Sequence, residues 1–189
     1  MIFKLRWDRE KFLTFDISPD DIEYVLGDFF LLDEPLWSEF WKPLNATFFD
    51  DSDNGKAIKV PDITVWPGNA CLALNAIALE KLNHYLKGYG ELLPIESEGN
   101  PYWLFHSTKQ TNLDLVDLEK SARTISETGY VEMQALTFNE KKCADELIFL
   151  SEFSDYRDMY CTEEFKQLVE SNGLKGLYFS TDLACVNEP

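Results

Sequence analysis

At 189 residues and 45% hydrophobic, the chain can bury about 70% of its unfolded surface in one core, without a disulfide or metal staple. Thirty-four acidic residues against seventeen basic ones give a formal charge of -17, which repels phosphate backbones and anionic membranes and favours cationic partners. Nucleic acid and membrane surfaces are thus not expected partners, and no uninterrupted apolar run approaches the length of a membrane span.

In chain order, Phe3, Leu5 and Trp7 alternate with Lys4 and Arg6, a period-2 pattern that predicts a first strand, and Phe12 to Ile17 supplies another. Ser18-Pro19-Asp20-Asp21 resembles a helix start, but Gly27 follows so soon that one or two turns are predicted. Phe29 to Leu32 is a short apolar run. Between Pro35 and Lys42, Trp37, Phe40 and Trp41 fall at i, i+3 and i+4, one face of a short helix stopped by Pro43. These rings read in two ways: as an aromatic clamp closing the N-terminal part over the core, or as a patch facing a partner.

Asp50-Asp51-Ser52-Asp53-Asn54-Gly55 has the alternating oxygen ligands of a calcium loop, but Pro61 stands where the bidentate glutamate of an EF-hand belongs. The expectation is a solvated turn whose carboxylates meet solvent or a basic partner, with no metal and no cofactor. Lys59 to Trp66 reads as a short strand entered through Pro61 and broken at Pro67-Gly68-Asn69. From Asn75 to Lys87 an amphipathic helix is predicted, with Ala78, Leu79, Leu82, Tyr85 and Leu86 inward, His84 toward solvent, and Gly88 as its left-handed cap.

Leu92 to Glu96 and Tyr102 to Ser107 are apolar runs separated by Ser97-Glu98-Gly99-Asn100-Pro101, a hairpin that is the expected nucleus of the sheet. His106, beside Trp103 and Phe105, reads as a hydrogen-bonded structural histidine. Neither histidine lies near a Gly-x-Ser-x-Gly elbow, and there is no glycine-rich phosphate loop. Leu113 to Ser121 is read as a loop, Gly129 to Leu136 as a strand, and Leu147 to Leu150 as a buried strand. Thr162 is expected to cap a helix that opens on Glu163 and Glu164, buries Phe165, Leu168 and Val169, and ends at Gly173. Leu177-Tyr178-Phe179 then forms a last strand. The fold class predicted is α+β: a mixed, mainly antiparallel sheet with a few amphipathic helices packed on it.

Cys71, Cys143, Cys161 and Cys185 stand far apart, with no Cys-x-x-Cys pair and no histidine at zinc-ligand spacing. They read as reduced thiols of a cytoplasmic protein, with two disulfides as the alternative. Charges interrupt the N-terminal apolar run before a signal-peptide core forms, which also points to the cytoplasm.

The series Val60-Pro61-Asp62-Ile63, Gly90-Glu91-Leu92-Leu93-Pro94-Ile95, Tyr102-Trp103-Leu104-Phe105-His106-Ser107-Thr108, Leu115-Val116-Asp117, Thr162-Glu163-Glu164-Phe165 and Gly173-Leu174-Lys175-Gly176-Leu177-Tyr178-Phe179 resembles immunity-protein family eleven of bacterial polymorphic-toxin systems. The resemblance covers residues 60–180 and implies a non-catalytic protein that binds and neutralises a cognate toxin. It also implies a core domain at 60–189 with a variable lobe at 1–59 packed on it. Within that reading Trp37, Trp41, Asp50, Asp51 and Asp53 are the expected partner-binding residues, and the toxin is expected to present a cationic surface. The alternatives are a metal-dependent hydrolase built on the acidic loop and an adaptor protein using the aromatic patch.

Overall fold

A computed structural model describes residues 1–27, 36–53, 55–57 and 59–184. The run Phe29 to Leu32, the residues Pro35 and Asn54, and Cys185 lie outside them. The chain runs through β1 (Ile2–Trp7), β2 (Thr14–Ile17), α1 (Pro19–Leu26), β3 (Leu44–Phe49), β4 (Ile63–Trp66), β5 (Cys71–Asn75), α2 (Ala76–Leu86), β6 (Gly90–Ser97) and β7 (Asn100–Ser107). There follow β8 (Gln110–Thr111), β9 (Ala122–Ile125), β10 (Val131–Ala135), β11 (Ile148–Ser151), β12 (Met159–Thr162), α3 (Glu163–Ser171) and β13 (Leu177–Ser180). A six-stranded sheet has the order β2-β3-β6-β7-β5-β4, a five-stranded sheet the order β13-β1-β12-β11-β8, and β9 and β10 form a separate ribbon. Among the described residues only β3 with β6 and β8 with β11 pair in parallel, so the class is α+β with mixed, mainly antiparallel sheets.

The central hairpin forms as its turn chemistry predicts. Glu98 and Gly99 both take positive φ (50° and 78°), the two-residue turn whose twist matches the flanking strands, and eight residue pairs from Ser97↔Asn100 to Gly90↔Ser107 follow. Next to β7 lies β5, which the sequence reading passes over. Cys71-Leu72-Ala73-Leu74 is buried on both faces, so it shows no alternation, and its alanine and leucines run directly into α2. Within α2, Ala78, Leu82 and Leu86 are buried and His84 is exposed, while Tyr85, expected inward, stays at the exposed rim. Helix α3 starts after Thr162, but the threonine hydroxyl makes no capping bond. Thr162 is held as the last residue of β12, its N–H donating to Leu147 O at 3.1 Å.

Three apolar clusters divide the strands by parity. Phe3 and Leu5 of β1, Ile63 of β4, Leu72 and Leu74 of β5, Phe105 of β7 and Ile148 of β11 join the two large sheets, together with the buried faces of α2 and α3. The other face of the six-stranded sheet, with Ala73, Leu93, Ile95 and Leu104, is covered by Ile22 and Leu26 of α1 and by Trp37. The other face of the five-stranded sheet, with Ile2, Phe149 and Tyr160, packs on Val116, Leu136 and Phe138. Lys4 and Arg6 share that face of β1 with Ile2 and are buried, so the alternation that marks β1 in the sequence does not place its cations in open water.

The boundary drawn at residue 59 does not fall between sheets. β1 lies between β12 and β13, and β2 and β3 extend the sheet that contains the central hairpin. The join between the two sheets is made by residues 113 positions apart. Asp62 accepts from Asn75 Nδ2 at 2.9 Å with one oxygen and from the Lys175 N–H at 3.0 Å with the other, while its own N–H donates to Lys175 O at 2.8 Å. Gly176 (φ 120°) lies against Pro61 and the carbonyl of Ile63, so close that a Cβ there would overlap both. Gly176→Ala should therefore destabilise the protein by about 2–4 kcal/mol, from steric overlap together with a backbone conformation that L-residues avoid. Gly68→Ala, at φ 79° with open space around it, should cost only about 1 kcal/mol, and chemical denaturation of the two variants checks the difference.

Candidate functional site

Antiparallel registry lines up four side chains across the six-stranded sheet: Trp66 opposite Cys71, Cys71 opposite His106, and His106 opposite Glu91. They share the face of Ala73, Leu93 and Leu104, beneath the segment that carries Trp37. The Trp37 ring lies flat on the His106 imidazole, with centroids 3.9 Å apart and planes 11° apart. Glu91 holds the assembly from below. Its Oε1 accepts from the Trp37 N–H at 2.6 Å and lies 2.9 Å from His106 Nδ1, and its Oε2 accepts from the Ser38 N–H at 3.1 Å.

Burial pushes the Glu91 carboxyl up, but the hydrogen bonds from His106, Ser38 and the Trp37 backbone together outweigh it and hold the group below the usual carboxylate range. Burial pulls His106 down, and Glu91 offsets only part of that pull, so the ring is neutral at pH 7 and donates its Nδ1–H to the carboxylate. A neutral histidine bonded to an ionised glutamate has the outline of a catalytic pair. Here both groups are occupied in fixing a turn and an aromatic ring.

The helix predicted across Pro35 to Lys42 is a turn over its described part, closed by the Phe40 N–H donating to Trp37 O at 2.9 Å. Two anchors on the sheet below set its shape. Trp37 rests on His106, and the Trp41 indole N–H donates to Pro94 O at 2.9 Å, which leaves the two indoles nearly parallel, 9° apart. Trp37 is only 5% exposed and offers a partner almost no surface, whereas Trp41 keeps an exposed edge. Beside them, Tyr24 of α1 is 79% exposed, with Lys42 Nζ 5.5 Å above its ring. Tyr24, Phe40 and the edge of Trp41 are thus aromatics open to solvent on two segments that meet at the Lys42–Tyr24 contact and also carry the exposed acids Asp20, Asp21, Glu23 and Glu39. Tyr24 was missed in the sequence, although Ile22 and Leu26, inward at i and i+4, leave residue 24 facing out.

The acidic turn lies at the far end of β3 from Trp41, about 20 Å away along six residues of strand. Asp50 Oδ1 accepts from the Ser52 hydroxyl at 2.6 Å and the Ser52 N–H at 3.0 Å, and the hydroxyl, first, with the N–H holds the carboxyl below its usual range. Asp53 pairs with Arg9 at 3.1 Å, and Asp51 is exposed. The structure therefore places Trp37 and Trp41 together but does not bring them to Asp50, Asp51 and Asp53. Among the described residues, no three histidine, cysteine, aspartate or glutamate side chains form a group fit to hold a metal ion, and no helix is long and apolar enough to cross a membrane. Cys71, Cys143 and Cys161 are buried thiols, and burial followed by nearby carboxylates pushes Cys143 up to about 11. The chain matches no protein-family model and no curated protein.

The two shifted groups make stability fall with acid in two windows. As pH drops below about 6.5 the unfolded chain protonates its histidine while the folded His106 resists, so unfolding is favoured. Below about 4.5 the unfolded glutamate protonates before Glu91 does, and the Glu91 contribution is lost as pH passes through its folded value. NMR titration should find His106 protonating below the ordinary histidine value. Glu91→Gln should cost about 1–3 kcal/mol at pH 7, because an amide cannot accept from all three donors, and urea unfolding should show a weaker acid dependence below pH 5.

Proposed function

We propose that the protein is a non-catalytic immunity protein that binds a cognate bacterial toxin and neutralises it in the cytoplasm of the producing cell. The observation that carries this reading is the surface formed by α1 and the 37–42 turn. Tyr24 is 79% exposed under Lys42 of the turn that carries Phe40 and Trp41, on segments rich in carboxylates, in a chain of formal charge -17. Large aromatics kept at the surface are the residue type from which binding hot spots are built, and surrounding negative charge speeds encounter with a cationic partner. The resemblance to the immunity family supports the same conclusion. Its markers fall on scaffold: Pro61 and Asp62 at the join with Gly176, Gly90 to Ile95 on β6, Tyr102 to Ser107 on β7, and Glu163 to Phe179 through α3 into β13.

The division of labour follows from burial. Trp37 and Glu91 hold the turn in place, Trp41, Phe40 and Tyr24 offer the contact, and Asp20, Asp21, Asp51 and Asp53 supply long-range attraction. A hydrolase built on Asp50, Asp51 and Asp53 gains nothing from the geometry, since Asp50 is bound to Ser52 and Asp53 to Arg9.

Co-expression should rescue a host from the toxic product of the adjacent gene, and the purified pair should form a complex. Within it, Trp41→Ala should speed dissociation about ten-fold or more, the loss expected of a hot-spot aromatic. Reversal of Asp51 and Asp53 to lysine should mainly slow association and flatten its salt dependence, which stopped-flow or surface-plasmon kinetics would resolve. If both variants bind and rescue like the parent, the interface lies elsewhere.

A further inference from the structure

The 37–42 turn is a thin cover. Of residues 36–42 only Trp37 is buried, and the hydrogen bond from the Phe40 N–H to Trp37 O stays within the turn. Among the described residues, its fastenings to the sheet are the Trp37 and Ser38 N–H groups on the Glu91 carboxylate, the Trp37 ring on His106, and the Trp41 indole N–H on Pro94 O. All but the last run through one titratable pair. We propose that this turn is an acid-released cover: in mildly acidic medium it lifts from Glu91 and His106 while both sheets stay folded, and the surface carrying Phe40 and Trp41 is lost with it. Only that last consequence rests on the partner-surface reading.

Geometry makes the opening local. Residues 36–42 hold no strand residue, so lifting them uncovers one buried ring and breaks no strand pairing. Leu72, Leu74 and Phe105, in the core between the sheets, lie on the other face of the same strands, and α1 keeps its own contacts through Ile22 and Leu26. A segment with so little buried surface opens at lower free energy than the core it rests on.

Acid sets the direction. Beneath the Trp37 ring the His106 side chain is 14% exposed and that of Glu91 11%, so an imidazolium there goes without water. Once the ring lifts, the imidazole is hydrated while Glu91 stays opposite it on the neighbouring strand, and the open state takes up a proton that the closed state resists. Opening therefore rises as pH falls through the open-state value of His106, about 6.5 or above, and levels off below the closed-state value, which burial depresses and Glu91 only partly restores. Burial pushes Glu91 up, yet its hydrogen bonds hold it below the usual carboxylate range, so it stays ionised in the closed state across this window. The other groups on this face do not compete for the proton. Cys71, beside His106 on β5, is pushed well up by burial and then by the Glu91 charge, and Tyr102, further along β7, is raised by burial, so both stay neutral. Asp16 of β2 accepts from the Trp66 indole N–H at 3.1 Å, and Glu23 of α1 and Glu39 and Lys42 of the turn are exposed.

The test is amide exchange of the full-length protein alone, followed by NMR between about pH 7.5 and pH 5, with and without sub-denaturing urea. Protection of the Trp37 and Ser38 amides should fall by up to about ten-fold per pH unit below about 6.5, one proton per opening, with no dependence on urea. Amides of β7 should keep higher protection that urea lowers, since they exchange only when the sheet unfolds. Trp37→Ala removes the ring and should raise the His106 titration to about 6.5 or above with both sheets folded, and His106→Gln should abolish the pH dependence at Ser38. If His106→Gln does not fold, the wild-type profile and Trp37→Ala still decide. Protection at Trp37 and Ser38 that ignores pH, or that falls only in step with β7 and with the same urea dependence, would overturn the proposal. So would an unmoved His106 titration in Trp37→Ala, or a pH dependence retained in a folded His106→Gln. No partner enters these readouts, so their failure is distinct from failure of the immunity reading.

Discussion

Two sheets that share one core leave each with an outer apolar face that must be covered, and this constraint organises the molecule. Leu72, Leu74 and Phe105 are spent on the inner core, so Ala73, Leu93 and Leu104 on the same strands need separate cover, which α1 and Trp37 supply. On the far sheet, Ile2, Phe149 and Tyr160 are covered by the segments around Val116, Leu136 and Phe138. The proposed partner surface belongs to the first of these covers.

Covering a sheet with a short irregular segment requires polar fastening, because such a segment brings backbone N–H groups into partly dry surroundings. Glu91 meets that need with two N–H groups from the 37–38 backbone and a third donor from His106, and His106 in turn is the platform for Trp37. The histidine–carboxylate pair is therefore a fastening, in keeping with the structural role read for His106 in the sequence. Its cost is acid sensitivity, since the fastening works only with the carboxylate ionised and the ring neutral.

Elements whose signals are local were legible in the sequence. The 97–100 hairpin, the amphipathic α2, the helix-turn-strand from Glu163 to Ser180 and the alternating β1 all lie where turn residues and periodicity placed them. Strands β3, β5, β9 and β12 were not legible. β5 and β12 are buried on both faces and carry no alternation, and β3 and β9 owe their strand state to pairing partners that local sequence does not reveal. The aromatic pair was found but its roles were not divided. Which of Trp37 and Trp41 is buried depends on His106, 69 and 65 positions further along, and the i, i+3, i+4 spacing fits a helix as well as a turn.

The central claim is that α1 and the 37–42 turn form the surface on which a protein partner sits. Amide hydrogen exchange of the full-length protein, alone and with the product of the adjacent gene, tests it most directly. The account predicts slowed exchange in α1 and at residues 37–42, with β9 and β10 unchanged. Protection confined to the ribbon, or no change in any segment, would contradict it.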